Sequence, residues 1–317
     1  MLTFMFGVAA DESMKSARIA ALTVALAVAA GVGPTAVTII TAQNAGKTSP
    51  APGGVLRRHY DQGEKLTYHM TGSNQEWRYK IDANGAVKKD AGGKFYEEYA
   101  WSGMISDGAA YSLPEASQQF RQKLSLEPDV SLSVPDLSHL DPKIIGPITD
   151  LLTIYSDLWL ANKMAIFSKA GDHFYFKSGT PNSWAEGNYV LLGQDSIDFD
   201  LTLTKVDQAN QTATLVVRHV PPQNPEIKIP ADWMRAPVAD APNNWVEVEK
   251  HGEKKIVAEV GKETFEVEIN VSLKNGKIIS AKIDNPVEVL SRDCEDVELA
   301  RCGEPKRFQI RRQIEIK

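Results

Sequence analysis

Several things are scarce or missing in this chain of 317 residues. His59, His69, His139, His173, His219 and His251 are scattered, with no His-x-His or His-Glu-x-x-His spacing, so no zinc centre is expected. Gly-x-Ser-x-Gly elbows, phosphate loops and dinucleotide glycine patterns do not occur, which removes the local signatures of common enzyme classes. No cofactor is therefore expected. The formal charge is −6, with both signs mixed along the chain and no basic stripe, so nucleic acid is not an expected partner. Cysteine occurs twice, as Cys294 and Cys302.

What is present begins with a leader. Lys15 and Arg18 precede Ile19 to Ala42, a run without charge that is rich in Ala, Val, Thr and Ile. This pattern reads as a bacterial export signal or a membrane anchor. A buried core helix fits poorly, because Gly31, Gly33 and Pro34 break helical packing. The same breakers favour cleavage over anchoring, after Ala27-Val28-Ala29 or after Ala42. Asp11 and Glu12 are odd in a basic leader, which makes Met14 an alternative start. The expected location is periplasmic or extracellular, with any membrane attachment made only through residues 19–42. Disulfides persist in such a compartment. A bond between Cys294 and Cys302 would stabilise the fold by roughly 2.5 kcal/mol, and it is preferred to free thiols or a metal pair.

Residues 43–58 read as a linker, since Gln43 to Gly54 holds small residues, Gly and Pro without an apolar period. A single β-rich domain is expected over 59–317. Its dominant signal is period-two alternation between turn residues, the mark of antiparallel strands with one buried face. Leu66, Tyr68 and Met70 form one such face. A hairpin is expected from Ile197, Phe199, Leu201 and Leu203 to Ala213, Leu215, Val217 and His219. Another runs from Phe265 through Leu273 and back along Ile279, Ala281 and Ile283. A two-residue Asn275-Gly276 turn would put that second apolar face out of register. A bulged loop Lys274-Asn275-Gly276 instead sets Val271 against Ile279, Ile269 against Ala281 and Val267 against Ile283. The same device at Ala83-Asn84-Gly85 would set Ile81 opposite Val87.

Two segments break the alternation. Ile144, Ile145, Ile148, Leu151, Leu152, Tyr155, Leu158 and Trp159 recur at helical spacings, while Lys143, Asp150, Thr153 and Asp157 fall away from them. This is an amphipathic helix, capped by Asp141-Pro142, with Gly146-Pro147 kinking its first turn or delaying its start. The second is the Pro-rich crossing 221–243, whose Ile227, Ile229, Trp233 and Met234 suit a packed loop better than a free linker. The fold class that follows is mainly β: a large antiparallel curved sheet or half-barrel, with one amphipathic helix against it and an export segment before it.

Candidate site residues come from side chains out of place. Phe95, Tyr99 and Trp101 share one face of a strand with Glu97, as sheet core or as a ligand-facing aromatic wall. Arg312 interrupts the apolar face of the last strand, Phe308, Ile310, Ile314 and Ile316, and requires a carboxylate or an anionic headgroup. His219 is expected to be a satisfied residue at the core edge. Asp198 and Asp200, roughly 7 Å apart along one strand, suit a solvated face first and paired acid and base work second.

At the level of fold this arrangement is similar to the concave half-barrel carriers of the bacterial envelope that hold acyl chains, although no motif matches that family residue by residue. The expected function is an exported envelope binding or carrier module for an apolar, lipid-like ligand. Phe95, Trp101, Ile148, Leu152, Tyr155, Trp159 and Arg312 would line its site. The alternatives are a structural or protein-interaction module of the envelope without a small ligand, and a secreted hydrolase using paired carboxylates.

Overall fold

Alternating burial runs through strand after strand of the structure, a computed structural model that describes residues 54–74, 77–133, 135–177, 183–186, 189–192, 198–220, 231–240, 243–251 and 255–317. The leader and the first part of the linker lie outside these residues. In chain order the strands are β1 (Lys65–Ser73), β2 (Arg78–Lys89), β3 (Phe95–Ser106), β4 (Ala109–Ala110), β5 (Gln122–Leu124), β6 (His173–Lys177), β7 (Ser183–Glu186), β8 (Tyr189–Leu192), β9 (Asp198–Asp207), β10 (Thr212–Val220), β11 (Trp245–His251), β12 (Lys255–Glu263), β13 (Phe265–Ser272), β14 (Ile278–Cys294) and β15 (Lys306–Ile316). The helices are α1 (Glu115–Gln119) and α2 (Pro142–Met164), with a 3-10 turn at Asp232–Arg235.

The protein is mainly β. Its pairings are antiparallel and join in one path, β4-β3-β2-β1-β15-β14-β12-β11-β8-β7, with β5 beside β3. A branch leaves β14 through β13, β10, β9 and β6. The branch has a local cause. One edge of β14 pairs with β13 up to Asp284 and with β12 from Val287 onward. Pro286 stands at the changeover and its carbonyl accepts from Thr264 N at 3.1 Å. In an antiparallel strand the N–H and C=O of one residue leave on the same side. The donor that proline lacks therefore faces the junction, where the ladder is already interrupted.

Several expected faces are present. Leu66, Tyr68 and Met70 are buried on β1. In the β9–β10 hairpin Leu203, Leu201 and Phe199 oppose Leu215, Val217 and His219; Ile197 falls outside the described residues. In the β13–β14 hairpin Ile269 faces Ala281 and Val267 faces Ile283. Gly276 takes a positive φ of 67°. The expected Val271–Ile279 pair is corrected, because a bulge next to Val271 pairs it with Ile278 and leaves Ile279 44% exposed.

The turn expected at Asn84-Gly85 does not exist, and β2 runs straight through it. Gly85 pairs across the sheet with Tyr99, and a Cβ there would lie 2.4 Å from the tyrosine ring. Gly72 does the same for Tyr79, at 2.1 Å. Each glycine is a slot for a ring that lies flat on the neighbouring strand.

The fold begins earlier than the linker boundary implied. Leu56 and Arg58 are buried, and Val55 N donates to Phe167 O at 2.8 Å. Two cores result. The larger joins α2 to apolar side chains of β1, β2, β3, β9, β10, β13, β14 and β15. The smaller collects Met234, Val246, Ile256, Ala258, Val260, Leu290, Cys294 and Leu299. Met234 and the partly buried Trp233 come from the Pro-rich crossing, whose described part packs on this second core. Cys294 and Cys302 are joined by a disulfide at its rim.

Candidate functional site: the contact between helix α2 and the sheet

The helix starts where the cap places it. Asp141 accepts from Lys143 N at 2.9 Å and Pro142 occupies the first turn. Pro147 stays inside the helix, so Gly146-Pro147 does not delay the start. By length and composition α2 could cross a membrane, yet 89% of its most apolar window is buried in the fold.

The expected polar face is corrected. Sixteen of the 23 helix residues are buried, including Asp150 at 1%, Thr153 at 6% and Asp157 at 2% exposure. Thr153 Oγ1 donates within the helix to Thr149 O at 2.9 Å, and the sheet supplies partners for the two carboxylates. Asp150 forms an ion pair with Arg312 of β15, and Tyr79 OH of β2 donates to its other oxygen at 2.7 Å. Two turns further on, Asp157 meets His219 of β10, whose Nε2 lies 3.0 Å from both carboxylate oxygens. Burial pushes the Asp157 carboxyl up from its ordinary value, and His219 opposes that rise. Phe199 and Phe265 flank the imidazole at ring-centre distances of 4.8 and 4.4 Å.

A third tie lies between these two. Glu97 of β3, 1% exposed, accepts from Tyr99 OH at 2.8 Å and from Tyr155 OH of the helix, and the two hydroxyls are 2.6 Å apart. Arg58 Nε donates to its other oxygen at 3.0 Å, while a second nitrogen of Arg58 reaches Glu64 at 2.6 Å. Burial, and then the Glu97 charge, push the hydroxyls of Tyr99 and Tyr155 well up, so both remain protonated donors.

The candidate ligand residues are thus placed as follows. Trp101, Ile148, Leu152, Tyr155 and Trp159 are all at most 3% exposed and belong to the larger core, against which the partly buried Phe95 packs. Trp159 Nε1 donates to Glu127 O at 3.1 Å. Arg312 has its carboxylate in Asp150. Among the described residues, the buried polar atoms near this contact that lack a hydrogen bond include Trp101 Nε1, His219 Nδ1, Asn162 Nδ2 and Oε1 of Gln122, whose amide nitrogen donates to Ile148 O at 3.0 Å.

Asp198 and Asp200 leave β9 away from this contact. Asp198 is 5% exposed and accepts from Tyr175 OH at 2.8 Å, while Asp200 lies 2.7 Å from His173 Nε2. The first is not the hydrated surface carboxylate expected. Among the described residues no group of three His, Cys, Asp or Glu side chains could hold a metal ion.

Sequence reasoning missed Glu97 with Arg58 as an ion pair, and Asp150 and Asp157 as buried partners. One signal was present: two carboxylates seven residues apart on a helix, and two cationic or titratable side chains on apolar strand faces, are complementary sets.

The chain matches no protein-family model, no curated protein and no solved structure.

Proposed function

We propose that this chain is an exported module of the bacterial envelope with a structural or protein-interaction role, built as a half-barrel that is filled by its own helix. The observation that carries this reading is the burial of α2 around its circumference, with Asp150, Tyr155 and Asp157 tied to β2, β3, β10 and β15. Strands that far apart in the sheet reach one helix together only where the sheet curves around it. The stripe otherwise available to a ligand is consumed by packing. Export is supported by Lys15, Arg18 and the uncharged run to Ala42, and by the Cys294–Cys302 disulfide, which suits an oxidising compartment.

A lipid carrier is the second reading. It is favoured by the free hydrogen-bonding capacity of two buried atoms, Trp101 Nε1 and Gln122 Oε1. The hydrolase alternative gains no support, since Asp198 and Asp200 are engaged by Tyr175 and His173. Organic extraction of natively purified protein followed by mass spectrometry separates the first two readings. A structural module yields no stoichiometric lipid and takes up no fluorescent acyl probe. One bound acyl chain per protein would establish the carrier instead.

A further inference from the structure

The first described residues lie beside the end of helix α2. Gly54 lies so close to Phe167 that a Cβ would come within 2.2 Å of its carbonyl oxygen, and Val55 N donates to the same oxygen at 2.8 Å. Gly54, the first described residue, therefore lies just beyond the end of α2. Met164 and Ile166, the residues leading into Phe167, are 38% and 60% exposed. Lys163 and Lys169 flank them and are exposed. Arg57, also exposed, lies on the Gly276 turn, with its carbonyl where a Cβ of Gly276 would be, and the exposed Lys274 belongs to the same turn. His59 N donates to Asn275 O at 2.8 Å, and the exposed imidazole of His59 joins the group.

Nearby carboxylates are largely engaged within the protein. Asp172 accepts from Ser168 N and Lys169 N at 2.7 and 3.0 Å. Glu64 holds Arg58 and Lys277. Asp61 remains exposed beside His59. In a chain of net charge −6, Arg57, Lys163, Lys169 and Lys274 outnumber Asp61 and Asp172 here, close to two exposed apolar side chains.

We infer that this end, Met164 and Ile166 together with Arg57, Lys163, Lys169 and Lys274, is a docking surface for an anionic lipid bilayer. Charge complementarity is one argument, because each basic side chain near an anionic bilayer strengthens binding by roughly five-fold. The length of chain before Gly54 is the other. Eleven residues, 43–53, separate the uncharged run ending at Ala42 from Gly54. Fully extended they reach about 40 Å, so a retained run would hold this end near the bilayer. The tether rests on the anchor reading of residues 19–42, in which the run is retained; the charge complementarity does not.

The test uses hydroxyl-radical footprinting of the full-length chain in phosphatidylcholine vesicles with or without phosphatidylglycerol, with buried Met70 and Met234 as internal references. Oxidation of Met164 is expected to fall several-fold only where phosphatidylglycerol is present, and Arg57→Gln with Lys169→Gln should restore it. Equal oxidation of Met164 in both membranes and in detergent would overturn the docking surface. If vesicles fail to retain the full-length chain, the anchor reading fails by itself. The protein left in solution is then mixed with the same vesicles. Its protection by phosphatidylglycerol would uphold the surface, and absence of protection would dispose of it.

Discussion

His219 Nε2 lies 3.0 Å from both carboxylate oxygens of Asp157, and both side chains are buried between strand β10 and helix α2. Removing one member of a buried pair leaves the other without compensation, at a cost of about 3 to 5 kcal/mol. His219→Phe should therefore destabilise the fold strongly in urea, and adding Asp157→Asn should recover a large part of the loss. The burial that raises the Asp157 carboxyl means the folded state holds its proton more tightly than the unfolded chain does. Stability from this group is full below the unfolded value and declines as pH rises through the folded one. The His219→Phe variant should accordingly lose more at pH 8 than at pH 5. Equal losses at both would contradict the assignment.

Glu263 provides a second pH dependence. Burial pushes its carboxyl up to about 7, against one favourable hydrogen bond from Asn285 at 2.7 Å. It sits where β12 gives way to β13, and Asn244 brackets its backbone through two hydrogen bonds. A raised acid stabilises the folded state fully below its unfolded value and loses that contribution as pH rises through 7. The shift corresponds to roughly 3 kcal/mol at most. Urea midpoints of the wild-type protein should fall between pH 5 and pH 8. Glu263→Gln should flatten that dependence and be more stable than wild type at pH 8.

Gly85→Ala should be costly for a residue inside a strand. The methyl group would collide with the Tyr99 ring, whose hydroxyl is bonded to Glu97 and Tyr155. Overpacking of this kind costs about 1 to 3 kcal/mol. Gly92→Ala, exposed and with only an Asp90 side-chain oxygen at 3.3 Å, should stay within about 0.5 kcal/mol. Thermal melts of the two variants make the comparison.

That glycine also marks what the sequence conceals. Period two was enough to place Leu66 to Met70 and Phe199 to Leu203, because alternation is a local property of one strand. Asn84-Gly85 has the composition of a turn, but its use as a ring slot depends on Tyr99, fourteen residues on. The polar face of α2 was legible as polar and not as buried, since its partners Arg312 and His219 lie 162 and 62 residues away. Arg312 itself was recognisable as needing an anion. Which anion is a tertiary fact.

Loss of the disulfide should act locally. Cys294→Ser with Cys302→Ser removes a closure of eight-residue separation, worth roughly 2.5 kcal/mol in the chain-entropy model. Trp233, which donates to Leu299 O at 3.2 Å inside that loop, should report it by fluorescence. The contact of α2 with the sheet should keep its hydrogen-exchange protection in this variant.

In the proposed reading α2 is a permanent filling of the sheet and not a lid. Native-state hydrogen exchange measures this most directly, by comparing the amides of Leu151 to Leu158 with those of Val267 and Ile269 on β13. Both sets should exchange only through global unfolding, with the same free energy and the same urea dependence. Helix amides that exchange many-fold faster than the strand amides, through an opening insensitive to urea, would contradict it.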